Sequence, residues 1–174
     1  MTVDVSIEGA TTAADLEAVR ALFVEYQRWL GVDLCFQGFA EELRSFPGRY
    51  APPGGRLLLA RGRDGAVAGV VGMWPLDADV CEMKRLFVRA SWRGRGLGRR
   101  LAEAIVAAAV DVGYARMRLD TLQSMTEAVT LYRSMGFREI APYYANPLAD
   151  VVYLERELRR RPDVVGGGAE PGIG

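Results

Sequence analysis

A glycine- and arginine-rich turn between a predicted strand and a long predicted helix constrains the fold of this chain more than any other feature. The turn has the sequence Trp92-Arg93-Gly94-Arg95-Gly96-Leu97-Gly98-Arg99-Arg100. Val80–Arg89 before it is rich in β-forming residues, and Leu97–Val112 carries an apolar stripe at helical spacing. The first N–H groups of a helix are unpaired and lie at its positive dipole end, so they favour an anion. Because glycine lets the backbone approach closely and arginine adds charge-assisted hydrogen bonds, the turn predicts a diphosphate site.

The turn does not match two other phosphate-binding patterns. It has no lysine followed by serine or threonine, which a Walker A loop requires. A dinucleotide-binding fingerprint that begins at Gly94 would need a glycine where the chain has Arg99. The alternative without a ligand is a surface turn with solvated arginines, and the strand–turn–helix context disfavours it.

The other sequence patterns predict one mixed α/β domain over residues 1–158. The predicted elements before the turn are the strand Val3–Ile7, a helix capped at Thr11 or Thr12 and ended by Gly31, the helix Gln37–Phe46, and the strands Arg56–Arg61 and Val67–Trp74. The predicted elements after Leu97–Val112 are the strand Ala115–Thr121, the helix Thr126–Met135, and the strands Phe137–Ile140 and Val151–Leu158. Helices that follow strands predict parallel pairings at two places, and the hairpins predict antiparallel pairings elsewhere. Arg159–Gly174 has no periodicity and predicts a disordered tail.

Composition excludes several kinds of chemistry. The chain has no histidine, which rules out Ser-His-Asp and Cys-His triads, histidine-ligated metals and a histidine base. Its 22 basic and 22 acidic residues balance, so bulk charge gives no sign of a nucleic-acid partner. No apolar run approaches the about 20 residues of a membrane span, and the first residues lack the features of a signal peptide. Cys35 and Cys81 have no metal-binding spacing and are expected to be buried free thiols, with a disulfide between them as the alternative. We therefore expect a cytoplasmic protein with no metal, no nucleic-acid partner and no membrane partner.

Two motifs resemble the GNAT superfamily of N-acetyltransferases. Arg93-x-x-Gly96-x-Gly98 matches the family's acetyl-CoA signature of Gln or Arg, two residues, Gly, one residue, and Gly or Ala. Ala128-Val129-Thr130-Leu131-Tyr132-Arg133-Ser134-Met135-Gly136-Phe137 is similar to a later family motif, in which a helix with a tyrosine ends at a Gly-Phe pair. The resemblance implies a mixed, mostly antiparallel central sheet with helices on both faces. It also implies a splayed pair of parallel strands, here Val80–Arg89 and Ala115–Thr121.

The resemblance further implies how acetyl-CoA would bind. Its pyrophosphate would contact the amides from Arg93 to Gly98, and its pantetheine arm would pair with backbone groups near Phe87 and Val88. The N–H near Val88 would polarise the thioester carbonyl. One position departs from the pattern, because Met125 stands where many members have an asparagine that contacts the arm.

The same resemblance points to an acid and a base. Tyr132 is the predicted acid, because a phenol stays protonated at neutral pH and can donate to the departing thiolate. The alternative for Tyr132 is a core tyrosine on an amphipathic helix. Glu82 is the predicted base or water-orienting residue, and its alternative is a structural ion pair with Lys84 or Arg85. Strict strand alternation would put Glu82 and Lys84 on one face and Arg85 on the other.

The predicted acceptor pocket includes Lys84, Arg85, Asp120, Thr121 and Tyr143, with Lys84 or Arg85 holding a carboxylate or phosphate of the acceptor. The leading hypothesis is direct acetyl transfer from acetyl-CoA to a primary amine of a small molecule. One alternative is a protein acetyltransferase acting on lysine or an N-terminus, which needs an open groove. The other is a non-catalytic CoA-binding module. A homodimer stays open, because dimers are common in the family.

Overall fold

A computed structural model describes residues 4–33 and 38–158 of the chain. The strands are β1 (Val5–Gly9), β2 (Arg56–Gly62), β3 (Val67–Pro75), β4 (Val80–Val88), β5 (Arg116–Leu122), β6 (Arg138–Ile140) and β7 (Val151–Glu157). The helices are α1 (Ala13–Leu30), α2 (Phe39–Arg44), α3 (Leu97–Val112) and α4 (Thr126–Ser134). This is the predicted order of elements. Val3, Cys35, Gln37 and the predicted tail Arg159–Gly174 lie outside the described residues.

The strands form one mixed sheet in the order β1-β2-β3-β4-β5-β7-β6. Neighbouring strands are antiparallel except β4 and β5, which are parallel. The second predicted parallel pairing, between β5 and β6, is wrong because β7 lies between them. The physical reason is length: β7 forms seven registered pairs with β5, and the three-residue β6 could offer fewer ladder hydrogen bonds.

Helix α1 begins and ends at the residues that the sequence indicates. The Thr12 hydroxyl accepts a hydrogen bond from the Asp15 N–H at 3.1 Å, and the Asp15 carboxylate accepts one from the Thr12 N–H at 3.2 Å. Gly31 ends the helix with a φ of 69°. Asp15 also pairs with Arg61 of β2 at 2.8 Å, which ties the start of α1 to the sheet.

Helices cover both faces of the sheet, as predicted. On one face the apolar stripe of α3, which includes Leu101 and Ile105, packs against Met73 and Met83. On the other face Leu22 and Phe23 of α1 pack with residues of α2, β2 and β3. Each layer buries apolar surface that neither the helix nor the sheet could bury alone.

Strand β4 contains a bulge that strict alternation does not anticipate. Arg85 and Leu86 both lie opposite the single residue Val71 of β3, and Arg85 has a φ of 58°. The extra residue turns Arg85 toward the face covered by α1 and α2, where Glu82 and Lys84 also lie. The prediction that Arg85 lies on the opposite face is therefore wrong. One inserted residue interrupts the alternation of side chains along the strand, so Arg85 points to the same side of the sheet as Lys84.

Strands β4 and β5 separate beyond their first residues. They are paired only from Val80 with Arg116 to Glu82 with Arg118, although β4 continues to Val88. A small cavity occupies the gap that follows, which confirms the splayed parallel pair. In the described part of the chain, no helix has the length and apolar character needed to cross a bilayer.

Candidate active site

A cleft of about 510 Å³ opens at the glycine-rich turn. It lies between the end of β4, the start of α3 and the start of α4, with one wall from α1. Its lining includes Trp29, Leu86, Val88, Trp92, Arg93, Gly94, Gly96, Leu97, Gly98, Ser124, Met125, Thr126 and Leu131. The structure thus brings most of the predicted cofactor-binding residues to one concave surface, together with Leu86 and Trp29, which the motif does not include.

The turn leaves open space where side chains would otherwise stand. Gly94 and Gly96 both have a φ of 74°, a left-handed conformation that glycine adopts without strain. A Cβ atom at Gly94, Gly96 or Gly98 would meet no heavy atom within 4 Å. Gly96 caps α3 without a side-chain hydrogen bond, so within the described part of the chain no side chain accepts from the first N–H groups of this helix. The turn can therefore present bare backbone to an anion.

The arginines of the turn differ in what they contact. Arg93 donates from Nε to the Val88 carbonyl at 2.9 Å, and its guanidinium lies 4.7 Å from the centre of the Trp29 ring. Arg99 donates to the Ser134 hydroxyl at 2.7 Å, and Arg95 lies over the ring of Trp92. All three charges border the cleft or the helix start, so they add positive potential there.

Tyr132 lies in a narrow cavity of about 70 Å³ between the splayed strands. Its ring packs edge-on against Phe137 at 5.8 Å, and its hydroxyl makes no hydrogen bond to another described residue. Burial raises the pKa of Tyr132 well above its ordinary value, and nearby Tyr26 and Asp120 raise this pKa further. Tyr132 is therefore a neutral phenol at physiological pH. Its cavity shares Leu86 with the large cleft.

Glu82 is buried and held by three donors. One carboxylate oxygen accepts from the Trp74 indole at 2.9 Å and lies 3.3 Å from the Lys84 ammonium. The other accepts from the Tyr143 hydroxyl at 2.5 Å. Burial and the charge of Glu82 raise the pKa of Tyr143, so this tyrosine acts as a donor. Among the described residues, Glu82 lines neither the large cleft nor the cavities between the strands.

Arg85 has its own buried acidic partner. Its guanidinium lies 3.3 Å from Glu42 of α2, and the other oxygen of Glu42 accepts from the Tyr50 hydroxyl at 2.5 Å. The Tyr50 ring lies against Gly72, where a Cβ would come within 2.7 Å of it. A glycine on β3 therefore makes room for the tyrosine that orients Glu42, although the sequence shows no sign of this contact.

The loop between β6 and β7 is joined to the site by two neighbouring tyrosines. Tyr143 donates to Glu82, and Tyr144 donates to Asp120 of β5 at 2.6 Å. Asn146 in turn donates to the Tyr144 hydroxyl at 3.1 Å. Of these three residues, only Tyr143 is among the site residues predicted from the sequence. The contacts of Tyr144 and Asn146 depend on how the loop folds back.

Two adjoining cavities of about 50 and 70 Å³ occupy the gap between β4 and β5. Both are lined by Lys84, Arg85, Asp120 and Thr121, four of the five residues that the sequence analysis expects in an acceptor pocket. Tyr26 of α1 also lines both. The sequence offers no signal for Tyr26, because it belongs to the apolar stripe that buries α1 against the sheet.

Cys81 is buried behind this site, on the α3 face of β4. Burial raises the pKa of its thiol to about 12, so it is a poor nucleophile. In residues 4–33 and 38–158, no group of three His, Cys, Asp or Glu side chains could hold a metal ion.

Known proteins with the same architecture identify the class of this one. The chain matches the model of the acetyltransferase (GNAT) family over residues 17–137. It is 39% identical over 158 residues to an uncharacterized N-acetyltransferase of Schizosaccharomyces pombe, covering 90% of this chain and 97% of that protein. It therefore belongs to the GNAT acetyltransferase family, and its predicted assignment as an N-acetyltransferase is confirmed.

Two solved structures illustrate the fold. A GNAT-family acetyltransferase from Staphylococcus aureus superposes with a TM-score of 0.73 at 21% identity, over 89% of this chain and 99% of the other. A GNAT-family acetyltransferase from Elizabethkingia anophelis, solved with acetyl-CoA bound, gives a TM-score of 0.61 at 21% identity over 89% and 99%. The predicted GNAT fold is thus confirmed.

Proposed function

We propose that this N-acetyltransferase transfers the acetyl group of acetyl-CoA directly to a primary amine of a small molecule. The observation that carries the proposal is that two spaces lie side by side. Leu86 lines both the cleft at the glycine-rich turn and the cavity that Tyr132 borders. A cosubstrate with a diphosphate and a long thiol arm fits this shape, because bare N–H groups lie at one end and a proton donor at the other.

Acetyl-CoA supplies an acetyl thioester, whose sulfur leaves as a thiolate and needs a proton. Tyr132 is the residue that we assign to this task. Its raised pKa keeps the proton on the phenol at neutral pH, and its hydroxyl has no competing acceptor among the described residues. This supports the acid role over simple packing, although the ring also packs against Phe137.

For Glu82 we propose a positioning role. Its two oxygens already accept hydrogen bonds from Trp74 and Tyr143 and contact Lys84. A general base needs a lone pair within reach of the substrate. The contacts of Glu82 favour the structural interpretation, in which it holds Lys84 and the loop of Tyr143 in place.

The size of the acceptor side favours a small molecule over a peptide. The cavities between the strands measure only about 50 and 70 Å³, and a water occupies about 30 Å³ of liquid. Helix α1 contributes Tyr26 to their wall, and Asn146 and Leu148 of the β6–β7 loop border the smaller one. A peptide acceptor would need an open groove across this surface. A homodimer and a cytoplasmic location stay predictions.

Substitution of Gly98 tests the cofactor site without disturbing the fold. Since its Cβ would enter open space and its φ is not left-handed, Gly98→Leu should leave the melting temperature of the free protein unchanged or higher. The added side chain would occupy the cleft and weaken acetyl-CoA binding in calorimetry by about tenfold or more, a cost of about 1.4 kcal/mol. Gly98→Ala is the matched control, with a much smaller loss. Equal affinity in all three proteins would contradict the assigned cleft.

The choice between a small amine and a peptide is tested by turnover. Purified protein with acetyl-CoA is offered small primary amines and lysine-containing peptides side by side, and CoA release is measured while mass spectrometry identifies the product. We expect acetylated small amines and no acetylated peptide. Turnover of peptides alone would replace the proposal by the protein-acetyltransferase alternative.

A further inference from the structure

Three apolar side chains separate the cleft at the glycine-rich turn from the cavity that Tyr132 borders. Among the described residues, Leu86, Met125 and Ala128 are those that line both spaces. A side chain that lines two neighbouring spaces lies between them, so these three residues form a partition within the site. Leu86 belongs to β4, and Met125 and Ala128 belong to the start of α4.

Met125 occupies a special place in this partition. It also lines the smaller cavity of about 50 Å³, and no other described residue borders the cleft and both cavities. Its Sδ atom accepts a hydrogen bond from the Thr121 hydroxyl of β5 at 3.9 Å. This bond is weak, because a thioether sulfur is a poor acceptor. The side chain of Met125 therefore lies where the three spaces come together.

The backbone of Met125 is fixed, whereas its side chain is adaptable. The Met125 N–H donates to the Leu122 carbonyl at 3.0 Å, and the Met125 carbonyl accepts from the Val129 N–H at 3.0 Å. Leu86 and Ala128 pack against the core on the α3 face. Met125, within the described part of the chain, belongs to neither core cluster. An unbranched methionine at such a position can adjust to the shape of a ligand beside it.

The proposed reaction brings the thioester to this partition. The arm of acetyl-CoA would enter from the cleft, and its sulfur would leave beside Tyr132, which borders the cavity. The acyl group is bonded to this sulfur, so it would lie next to Met125. The cavity ahead of it measures about 70 Å³, against about 510 Å³ for the cleft. The acyl side of the site therefore has little room for additional carbon atoms.

We propose that Met125 limits the acyl group to a short chain, so that the enzyme prefers acetyl-CoA to thioesters with longer acyl chains. This inference rests on the proposed function and names a specificity-determining residue of the same site. The apolar partition suits the methyl group of an acetyl thioester. A longer chain would have to displace Met125 or enter the space that the acceptor needs. One methylene in a hydrophobic pocket changes specificity by about 10–200-fold.

The first measurement uses the unmodified protein and needs no acceptor. Acetyl-CoA, propionyl-CoA and butyryl-CoA are titrated in calorimetry. We expect the Kd of butyryl-CoA to exceed that of acetyl-CoA by about tenfold or more, with propionyl-CoA between them. Because the three thioesters share the same nucleotide and arm, the difference reports on the acyl group alone.

Variants then assign the limit to Met125. Met125→Ala removes no capping hydrogen bond, and it should lower the Kd of butyryl-CoA by about tenfold while that of acetyl-CoA stays within about threefold. Met125→Leu keeps the volume and should keep the preference. Met135→Ala, at the other end of α4, is the matched control, because Met135 packs against the core and lines none of the three spaces. It should lower the melting temperature and leave both affinities unchanged.

The possible failures are distinguishable. If the unmodified protein binds butyryl-CoA as tightly as acetyl-CoA, or if Met125→Ala gains no affinity for butyryl-CoA, the inference is wrong and the proposed function stands. If Met125→Ala does not fold, Met125→Val shortens the side chain by less and must show a smaller gain in the same direction. If the unmodified protein binds none of the three thioesters, the proposed function and the inference fail together.

Discussion

Removal of one hydroxyl group, by Tyr132→Phe, is the sharpest test of the proposed proton donor. The ring packs edge-on against Phe137 and is only 6% exposed, so phenylalanine keeps the packing. The hydroxyl has no hydrogen-bond partner among the described residues, so its loss leaves no buried group unpaired. We therefore expect the free energy of unfolding to change by no more than about 0.5 kcal/mol.

The expected effect on turnover is much larger. A positioned acid contributes about 10²–10⁴ in rate. At about 1.36 kcal/mol per tenfold, the variant should lose about 2.7–5.4 kcal/mol of transition-state stabilisation. Because the contribution is made when the thiolate leaves, kcat should fall while the KM for acetyl-CoA stays nearly constant. The raised pKa of Tyr132 also predicts that wild-type kcat does not decline through ionisation of this residue at mildly alkaline pH.

The assay is steady-state release of CoA, with saturation by both substrates. Tyr114→Phe is the matched control: Tyr114 is equally buried but lies at the end of α3, where its hydroxyl donates to the Gly54 carbonyl at 2.7 Å. The control should lose about 1 kcal/mol of stability and keep its kcat. If Tyr132→Phe retained a third or more of the wild-type kcat, the residue would be a packing element and the acid would have to be sought elsewhere.

Three further changes test other parts of the site and fold. Glu82→Gln should lower the melting temperature, because it removes the negative charge that lies beside the buried Lys84 ammonium. It should leave the shape of the kcat–pH profile unchanged, and disappearance of the acidic limb of that profile would identify Glu82 as the base. Cys81 should resist alkylation in the folded protein, and Cys81→Ala should keep turnover; a trapped acetyl-cysteine would refute direct transfer. Hydrogen bonds from the backbone at Thr12 and Thr11, and then Arg61, lower the pKa of Asp15 from 3.8 to about 2. The stabilisation that ionised Asp15 gives the folded protein is therefore complete above the ordinary pKa and is lost as the pH falls toward 2. The melting temperature of Asp15→Asn should lie below that of the wild type at neutral pH, and this difference should narrow as the pH falls from 3.8 to about 2. A difference that stays constant over that interval would contradict the linkage.

Local chemistry made much of the fold predictable. The cap at Thr12, the end of α1 at Gly31 and the whole of α3 from Leu97 to Val112 follow from residue types whose backbone preferences act over one or two turns. The glycine-rich turn is equally local, since its left-handed conformations and its position before a helix are encoded within a few residues.

Pairing across the sheet was harder to anticipate. The insertion of β7 between β5 and β6 depends on competition among distant strands, and no local pattern reports it. The bulge at Arg85 is a second case. A run of β-forming residues gives no sign in the sequence that one of them will be an extra residue in the backbone pairing with β3.

The sequence by itself determined the class of this protein, because the glycine-rich turn and the tyrosine-bearing helix are contiguous segments whose family motifs can be recognised one by one. Only the tertiary structure decided which residues line the gap between β4 and β5. Lys84, Arg85 and Asp120 come from two strands, and a one-residue bulge and the strands' separation bring them to one cavity. Side chains distant in sequence meet through packing and register, which are properties of the whole sheet.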